Sequence, residues 1–536
     1  MTKYTGVVGS VSLPSTTSKV NQVVNSTGGY VFQLAPRDHF IRFLILGSDT
    51  STYYASAQQN FAKCVVSLRA SLDKLGKEFV DIILDISTNN RAPKVDPAIF
   101  AMAFAVVHGS PETRAYALSN LGAVCRIGTH LFSFLTDVKG LGGHTGGRAF
   151  KRALTSWYLS QAPNSLAYQL IKYRNRSGWS HADVLRLCKP SGHTTGESDY
   201  GDLFAFATDK KILGKGRHLD QVTAFLALRE GDVTTTQVVD AIAKFGLPRE
   251  AVPDQFLKEA AVWKALVMPS EADKHGMPMT ALVRTLNRIT AAGLFEDRSV
   301  LDFVVGKLTN EEGLRRSRIH PISLLIALKQ YEAGKGEKGS LTWNPKPQIV
   351  TALEAAFNLA FKTAPSTGKS IVIGLDVSGS MGCAAAGTSN LSSRDASVAL
   401  AKFYMNRETN CKVWAFSNAL TDISTWFEGR YSDVVARTSL LPFMSTNPGL
   451  VVKKAIQDKI KTDLFLFMTD SEVNSGSHVH ELFRQYCQTV NPNAKFVMMG
   501  MAMNSFTLAD PSNPRMMDVA GFDASVPEVL NSFING

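Results

Sequence analysis

Residues 371–380 read Ile-Val-Ile-Gly-Leu-Asp-Val-Ser-Gly-Ser, and the fold of the C-terminal third follows from this stretch. Its first seven residues, IVIGLDV, make the apolar run of a parallel strand buried on both faces. Working outward, 394–405 (RDASVALAKFYM) places apolar residues at 396, 399, 400 and 403, the spacing of an amphipathic helix. Further on come a strand at 412–417, a helix at 448–460, a strand at 463–470, a helix at 478–490, a strand at 495–501 and a last helix at 525–534. Strands alternating with helices of this length predict a doubly wound, Rossmann-like α/β domain over 367–536.

The end of the first strand carries chemistry. Asp376, Ser378 and Ser380 form a D-x-S-x-S sequence, and doubly wound sheets bind ligands beyond the carboxyl ends of their strands. One carboxylate and two hydroxyls on a glycine-permitted turn are hard oxygen donors, suited to Mg²⁺, Mn²⁺ or Ca²⁺ and not to a soft metal. Asp470, closing the strand at 463–470, is expected to face the same crevice, and Thr446 in the loop MSTNPG offers another hydroxyl. The set resembles the metal-ion-dependent adhesion site of von Willebrand factor A domains. That resemblance implies Asp376, Ser378, Ser380, Thr446 and Asp470 as ligands, a divalent ion (Mg²⁺ first, Mn²⁺ or Ca²⁺ as alternatives), and one coordination position left for a partner's carboxylate. Many relatives carry Thr-Asp in the loop where this chain has Thr446-Asn447.

Enzyme motifs do not survive inspection. STGKS at 366–370 precedes a strand, whereas a phosphate-binding loop follows a strand and opens a helix, and residue 363 is Thr where that motif needs Gly. His478 and His480 lie two apart at a helix start, on different faces, and read as surface residues. Nothing in the chain asks for catalysis. Six cysteines scattered singly, without a CxxC, predict reduced thiols. The start of the chain lacks the apolar core of a signal peptide, and the run at 97–108 (PAIFAMAFAVVH) is too short to cross a bilayer. A cytoplasmic protein without membrane contact is expected.

Upstream of 367 the pattern changes. Residues 1–28 are Ser/Thr/Val/Gly-rich without periodicity and predict a flexible arm. From 29 to 366 many short amphipathic segments in series predict helices stacked in pairs, of the HEAT kind. The first 366 residues carry a net charge of +12 and the remainder −1. Excess positive charge binds phosphate backbones through counterion release. Arg148, Lys151 and Arg152 fall at i, i+3 and i+4 on one helix, and Arg284 and Arg288 at i and i+4 on another. Lys172, Arg174 and Arg176 surround Tyr173 ahead of Gly-Trp179-Ser180-His181, interleaving cations with aromatics as backbone-plus-base contacts require. Arg315, Arg316, Arg318 and His320 form a further cluster, while Arg126 and His130 read as structural.

Several stretches resemble the helical module of the Ro autoantigen (TROVE) family: RFLILGSDTSTYY (42–54), CRIGTHLFSFL (125–135), GRAFKRALTSWY (147–158), KYRNRSGWSHADVLRL (172–187), VWKALVMP (262–269), MPMTALVRTLNRIT (277–290) and RIHPISLLIALKQY (318–331). The resemblance implies a ring of HEAT-like helical repeats closed by the A domain. It implies single-stranded 3′ ends of misfolded noncoding RNA in a basic central hole and small Y RNAs on the outer surface, serving RNA quality control or stabilisation. His181, in the family's GWSH motif, is the RNA contact it most directly suggests. It further implies a monomer and, as in bacterial relatives, an exoribonuclease partner such as polynucleotide phosphorylase. The alternative is a metal-dependent protein-interaction scaffold whose A domain binds an acidic partner.

Overall fold

A computed structural model describes residues 12–47, 57–194, 198–209, 219–336, 339–361, 366–385, 388–442 and 444–536. The chain divides into two compact units, one of residues 1–70, 91–94 and 361–536, the other of residues 71–90 and 95–360.

The first unit is built on a six-stranded sheet, ordered Met516–Ala520, Lys495–Gly500, Leu464–Thr469, Ser370–Asp376, Asn410–Phe416, Leu420–Asp422. All pairings are parallel except the last, an antiparallel edge. The two central strands are apolar because both faces are covered, and every residue of Leu464–Thr469 is buried. At Gly374 a Cβ would lie 3.0 Å from the Phe467 ring, so any side chain there would force that ring to shift. One face packs Val372, Phe465, Phe467 and Phe496 against Val451, Val452, Leu482 and Phe483 of the helices Gly449–Gln457 and Val479–Thr489. Ser393–Arg407 packs against the strands Ser370–Asp376 and Asn410–Phe416. STGKS is no phosphate loop here: the Glu408 carboxylate accepts hydrogen bonds from Ser366 Oγ, Thr367 N and Thr367 Oγ1.

The expected N-terminal arm does not hold for residues 12–28; residues 1–11 lie outside the described residues. Gln22–Val24 and Tyr30–Gln33 form an antiparallel hairpin, and the second strand pairs in turn with Phe506–Thr507. The Ser/Thr-rich composition that suggested an arm supplies the hydrogen bonds that dock it. Ser12 N and Oγ donate to Glu481, Ser18 Oγ meets His480 Nε2 at 2.9 Å, and His478 Nε2 donates to the Thr16 carbonyl at 2.7 Å. His478 and His480, expected at the surface, are therefore buried. The helix Pro36–Leu46 follows, and its Arg42 is 1% exposed. Arg42 Nη2 donates to both Asp518 oxygens at 2.7 Å, and Nη1 to the Phe506 carbonyl at 2.9 Å and Asn504 Oδ1 at 3.0 Å. Residues 29–47 thus belong with the sheet, not with the helical domain expected over 29–366.

The second unit is helical among its described residues, apart from one short ladder and an isolated bridge. Asp96–His108 packs on Gly128–Gly140, Thr235–Phe245 on Ala260–Val267, and Pro321–Glu332 on Pro347–Ala360. Proline at the first turn opens several of these helices, and capping boxes open two more, Ser180 with Asp183 and Thr234 with Gln237. The apolar run at 97–108 is a core helix, with Ile99, Met102, Phe104 and Ala105 buried. Among the described residues no helix is long and apolar enough to cross a membrane. All six cysteines are free.

Removing one member of a buried, hydrogen-bonded ion pair strands the other charge, at a cost of about 3–5 kcal/mol. Arg42→Ala is expected to lower the urea unfolding free energy by about that amount. A loss below about 1 kcal/mol would show that the pair does not hold the N-terminal helix.

Candidate functional site

The carboxyl ends of the two central strands bring the predicted metal ligands together. Asp376 ends one strand and is fully buried. Its Oδ1 accepts from Ser378 N at 2.8 Å and its Oδ2 from Thr469 Oγ1 at 2.6 Å. Ser378 Oγ and Ser380 Oγ lie 3.2 Å apart, and the Ser380 hydroxyl bonds the Asp470 carboxylate. Asp470 Oδ1 also accepts from Glu472 N at 3.1 Å. The Thr446 loop is held beside this turn, with Thr446 N donating to Asn474 Oδ1 at 2.8 Å and the Thr446 carbonyl accepting from Asn474 N and Ser475 N.

Two buried acids here face one another. Burial first, and Asp470 second, push Asp376 up to about 7, and burial raises Asp470 as well. Such a pair is costly when ionised unless a cation offsets it. The donor set, two carboxylates and three hydroxyls, suits a hard divalent ion, and among the described residues no group of three or more His, Cys, Asp or Glu offers a competing site. Asn447, standing where many A domains have Asp, has its side-chain oxygen buried without a partner. Sequence reasoning missed Thr469, whose hydroxyl bridges the Asp376 carboxylate and Ser471 N. Its place immediately before Asp470 at the strand end was the available signal.

The predicted RNA-binding residues divide. His181 is a core histidine, not a surface contact: it is 2% exposed, with Nδ1 2.8 Å from Tyr158 Oη and its ring edge-on to Phe132. Burial pulls its pKa down to about 3, so it is neutral. The helix entry at Gly128 fits around it, since a Cβ there would lie 2.7 Å from His181 Nε2. The GWSH His heads a helix behind an N-cap serine, and that position turned the ring inward.

The remaining cations are at the surface or partly so. Arg148, Lys151 and Arg152 lie on Arg148–Leu159, Lys172 ends Pro163–Lys172, and Arg284 and Arg288 stand on one exposed face of Met279–Ala291. Arg176 lies on the short ladder pairing Asn175–Arg176 with Trp179–Ser180, and Arg174 immediately before it. Lys172 Nζ sits 5.4 Å from the Tyr173 ring and Lys139 Nζ 4.1 Å from Trp179. The rings offered for base stacking thus already carry cations of the chain itself.

Two convergences appear that linear spacing did not give. Lys151 and Arg152 share an open groove with Lys189, whose walls carry the Thr155, Ser156 and Ser191 hydroxyls. Lys189 reaches it from the left-handed residue (φ 46°) that ends the helix His181–Cys188. Elsewhere Arg126, which donates from Nη1 to Ser87 Oγ at 3.0 Å and to the Ala123 carbonyl at 3.1 Å, has its pKa pulled down by burial and by nearby Arg318. His130 is held at about 4 by burial, by Arg126 and, more weakly, by Arg176, with Asp96 opposing. Three arginines from separate stretches therefore crowd one neighbourhood.

Among the described residues none of Arg148, Lys151, Arg152, Lys172, Arg174, Arg176, Arg284 and Arg288, nor Arg126, Lys189 or Arg318, forms an ion pair. Several other surface cations of the helical unit do: Arg186 with Asp183, Lys264 with Asp297, Arg298 with Asp302, Lys346 with Glu296 and, from the cluster at 315–320, Arg316 with Glu312. The cations left unpaired include all three residues of the Arg148–Lys151–Arg152 stripe, both of the Arg284–Arg288 stripe and all three rim residues of the groove.

His181→Ala is expected to cost about 2–4 kcal/mol of stability through lost packing and a stranded Tyr158 hydroxyl, read as a lower urea midpoint. Unaltered stability would show that the ring is not part of the core.

The TROVE domain model matches residues 23–221 and 246–330, and the Ro60 vWA domain model residues 370–534. The chain is 33% identical over 599 residues to RNA-binding protein RO60 of Caenorhabditis elegans, covering 97% of this chain and 91% of that one. To RNA-binding protein RO60 of Deinococcus radiodurans it is 31% identical over 527 residues, covering 96% of each. The crystal structure of the Deinococcus radiodurans RO (RSR) protein superposes with a TM-score of 0.69 at 30% identity, covering 94% of this chain and 100% of that one.

Proposed function

Because the chain belongs to the Ro60 (TROVE) family, we propose that it is a non-catalytic RNA-binding protein whose helical unit takes the polyanion. The observation that carries this reading is the set of cations without ion-pair partners among the described residues, several of them converging on one groove of the helical unit, in the part of the chain that holds the excess positive charge. Charge held unneutralised on rigid helices costs folding energy that a polyanion offsets, and each phosphate contacted releases counterions. The groove of Lys151, Arg152 and Lys189 is suited to phosphates, with hydroxyls to orient what the cations attract. The neighbourhood of Arg126, Arg176 and Arg318 is a second candidate for a strand end.

Within this reading the ligands are noncoding RNAs, small structured Y RNAs on the outer face and misfolded RNAs with free 3′ single strands in a basic central hole. The protein would act as a cytoplasmic monomer in RNA quality control or stabilisation, passing RNA to an exoribonuclease. His181 enters only by holding the core beneath the surface contacts.

The A domain would hold a divalent ion on Asp376, Ser378, Ser380, Thr446 and Asp470, with Mg²⁺ the first choice. The buried carboxylate pair favours it. When bound, the ion supplies an electrophilic position for a carboxylate of an acidic protein partner, so the interaction-scaffold reading describes a second activity of the same chain.

Binding of single-stranded RNA is expected to weaken steeply with salt. Lys151→Ala with Arg152→Ala should flatten the slope of log affinity against log salt by about 1–1.5, at about 0.7 per phosphate contact. An unchanged slope would remove the groove from the binding surface. For the metal, an acid whose folded pKa is raised to about 7 keeps its proton below that pH, and the proton competes with the ion. Mn²⁺ affinity by calorimetry should therefore rise between pH 6 and pH 8 and vanish in Asp376→Ala.

A further inference from the structure

We propose that the N-terminal turn 25–29 is a positioning element for the metal site, holding the loop that carries Asp470; this rests on the metal reading above. The loop leaves the strand Leu464–Thr469 through Asp470, Ser471, Glu472 and Val473. Ser471 is fully buried with φ +64°. A left-handed conformation is disfavoured for a residue with a Cβ and persists only where surroundings enforce it. Ser471 N is held by Thr469 Oγ1 at 3.1 Å, and that hydroxyl also donates to Asp376.

The other half of the hold comes from the opposite end of the chain. Asn25 Nδ2 donates to the Ser471 carbonyl at 3.2 Å and to the Val473 carbonyl at 2.8 Å. Ser26 N and Oγ each donate to the Glu472 carboxylate at 2.9 Å, and Thr27 Oγ1 donates to the Val473 carbonyl at 3.1 Å. Each residue from 471 to 473 is thus gripped by the turn. Asn25 is itself fixed, because its Oδ1 accepts from Thr27 N, Thr27 Oγ1 and Gly29 N. The approach is close: a Cβ on Gly29 would lie 2.0 Å from the Val473 carbonyl oxygen.

These contacts differ from the other anchors of the segment. Lys19 pairs with Asp510 and Ser12 with Glu481, neither in the 470–473 loop. Of these N-terminal anchors only the turn bears on the backbone next to Asp470, opposite Asn504, whose Nδ2 donates to the Asp470 carbonyl. Groups that orient metal ligands from outside the coordination sphere carry about 10–100-fold in affinity.

The test is Mn²⁺ calorimetry at pH 8 on the full chain and on Asn25→Ala, Thr27→Val, Gly29→Ala and Lys19→Ala, with amide exchange across 471–474. Asn25→Ala releases the loop, Gly29→Ala displaces it, and Thr27→Val removes one hydroxyl and is mild enough to fold. Lys19→Ala loosens the segment away from the loop. Expected are affinity losses of about tenfold for Asn25→Ala and Gly29→Ala, a smaller loss for Thr27→Val, and faster exchange at 471–474 in Asn25→Ala. Lys19→Ala should bind as the wild type does. Wild-type affinity in both Asn25→Ala and Thr27→Val, or an equal loss in Lys19→Ala, overturns the proposal. A wild-type chain that takes up no Mn²⁺ overturns the metal reading itself, and the positioning role with it.

Discussion

Arg42 is 1% exposed, and a guanidinium that far from water is tolerable only if its charge and donors are met inside the protein. Its hydrogen-bonding partners, the Asp518 carboxylate, Asn504, the Phe506 carbonyl and the Met498 sulfur, all come from residues 498–518, and only its Nε goes without one. The fit leaves no slack, since a Cβ on Gly500 would lie 2.6 Å from the Arg42 guanidinium carbon. The helix Pro36–Leu46 is thereby committed to the sheet, and the hairpin ahead of it is carried to the same unit. From that commitment follow the burial of His478 and His480 and the grip of the 25–29 turn on the loop after Asp470.

The two units treat charge in opposite ways. In the A domain the acids are buried and crowded, with Asp376 and Asp470 raised against each other, an arrangement that invites a cation. On the helical unit, cations are left unpaired and in places crowded, an arrangement that invites an anion. Each unit holds electrostatic energy that binding would offset. An ion in one and a polyanion in the other satisfy the same physical requirement with opposite sign.

Legibility followed the range of the interactions. The strand at 371–377, its alternating helices and the D-x-S-x-S turn were readable because periodicity and local spacing reflect neighbours close in the chain. Asp470 was readable because strand ends in such a sheet converge. The edge strands Leu420–Asp422 and Met516–Ala520 were not read, since short, half-exposed segments lack an apolar run. His181 was misread because a motif places a residue in the chain but not on a face of the fold. Lys189 was overlooked because a lone lysine after a helix looks like a C-terminal charge until the fold turns it toward Lys151 and Arg152.

By itself, then, the sequence determined the two kinds of domain, the excess positive charge on the helical part, and the oxygen-bearing side chains gathered at the carboxyl ends of the central strands. All of these depend on composition or on contacts a few residues apart. Only the tertiary structure decided that residues 12–28 dock by hydrogen bonds where an arm was expected, that His181 faces the core, and that Lys189 shares a groove with Lys151 and Arg152. Those outcomes rest on partners from tens to hundreds of positions away, and a polar stretch reads the same whether water or a distant backbone satisfies it.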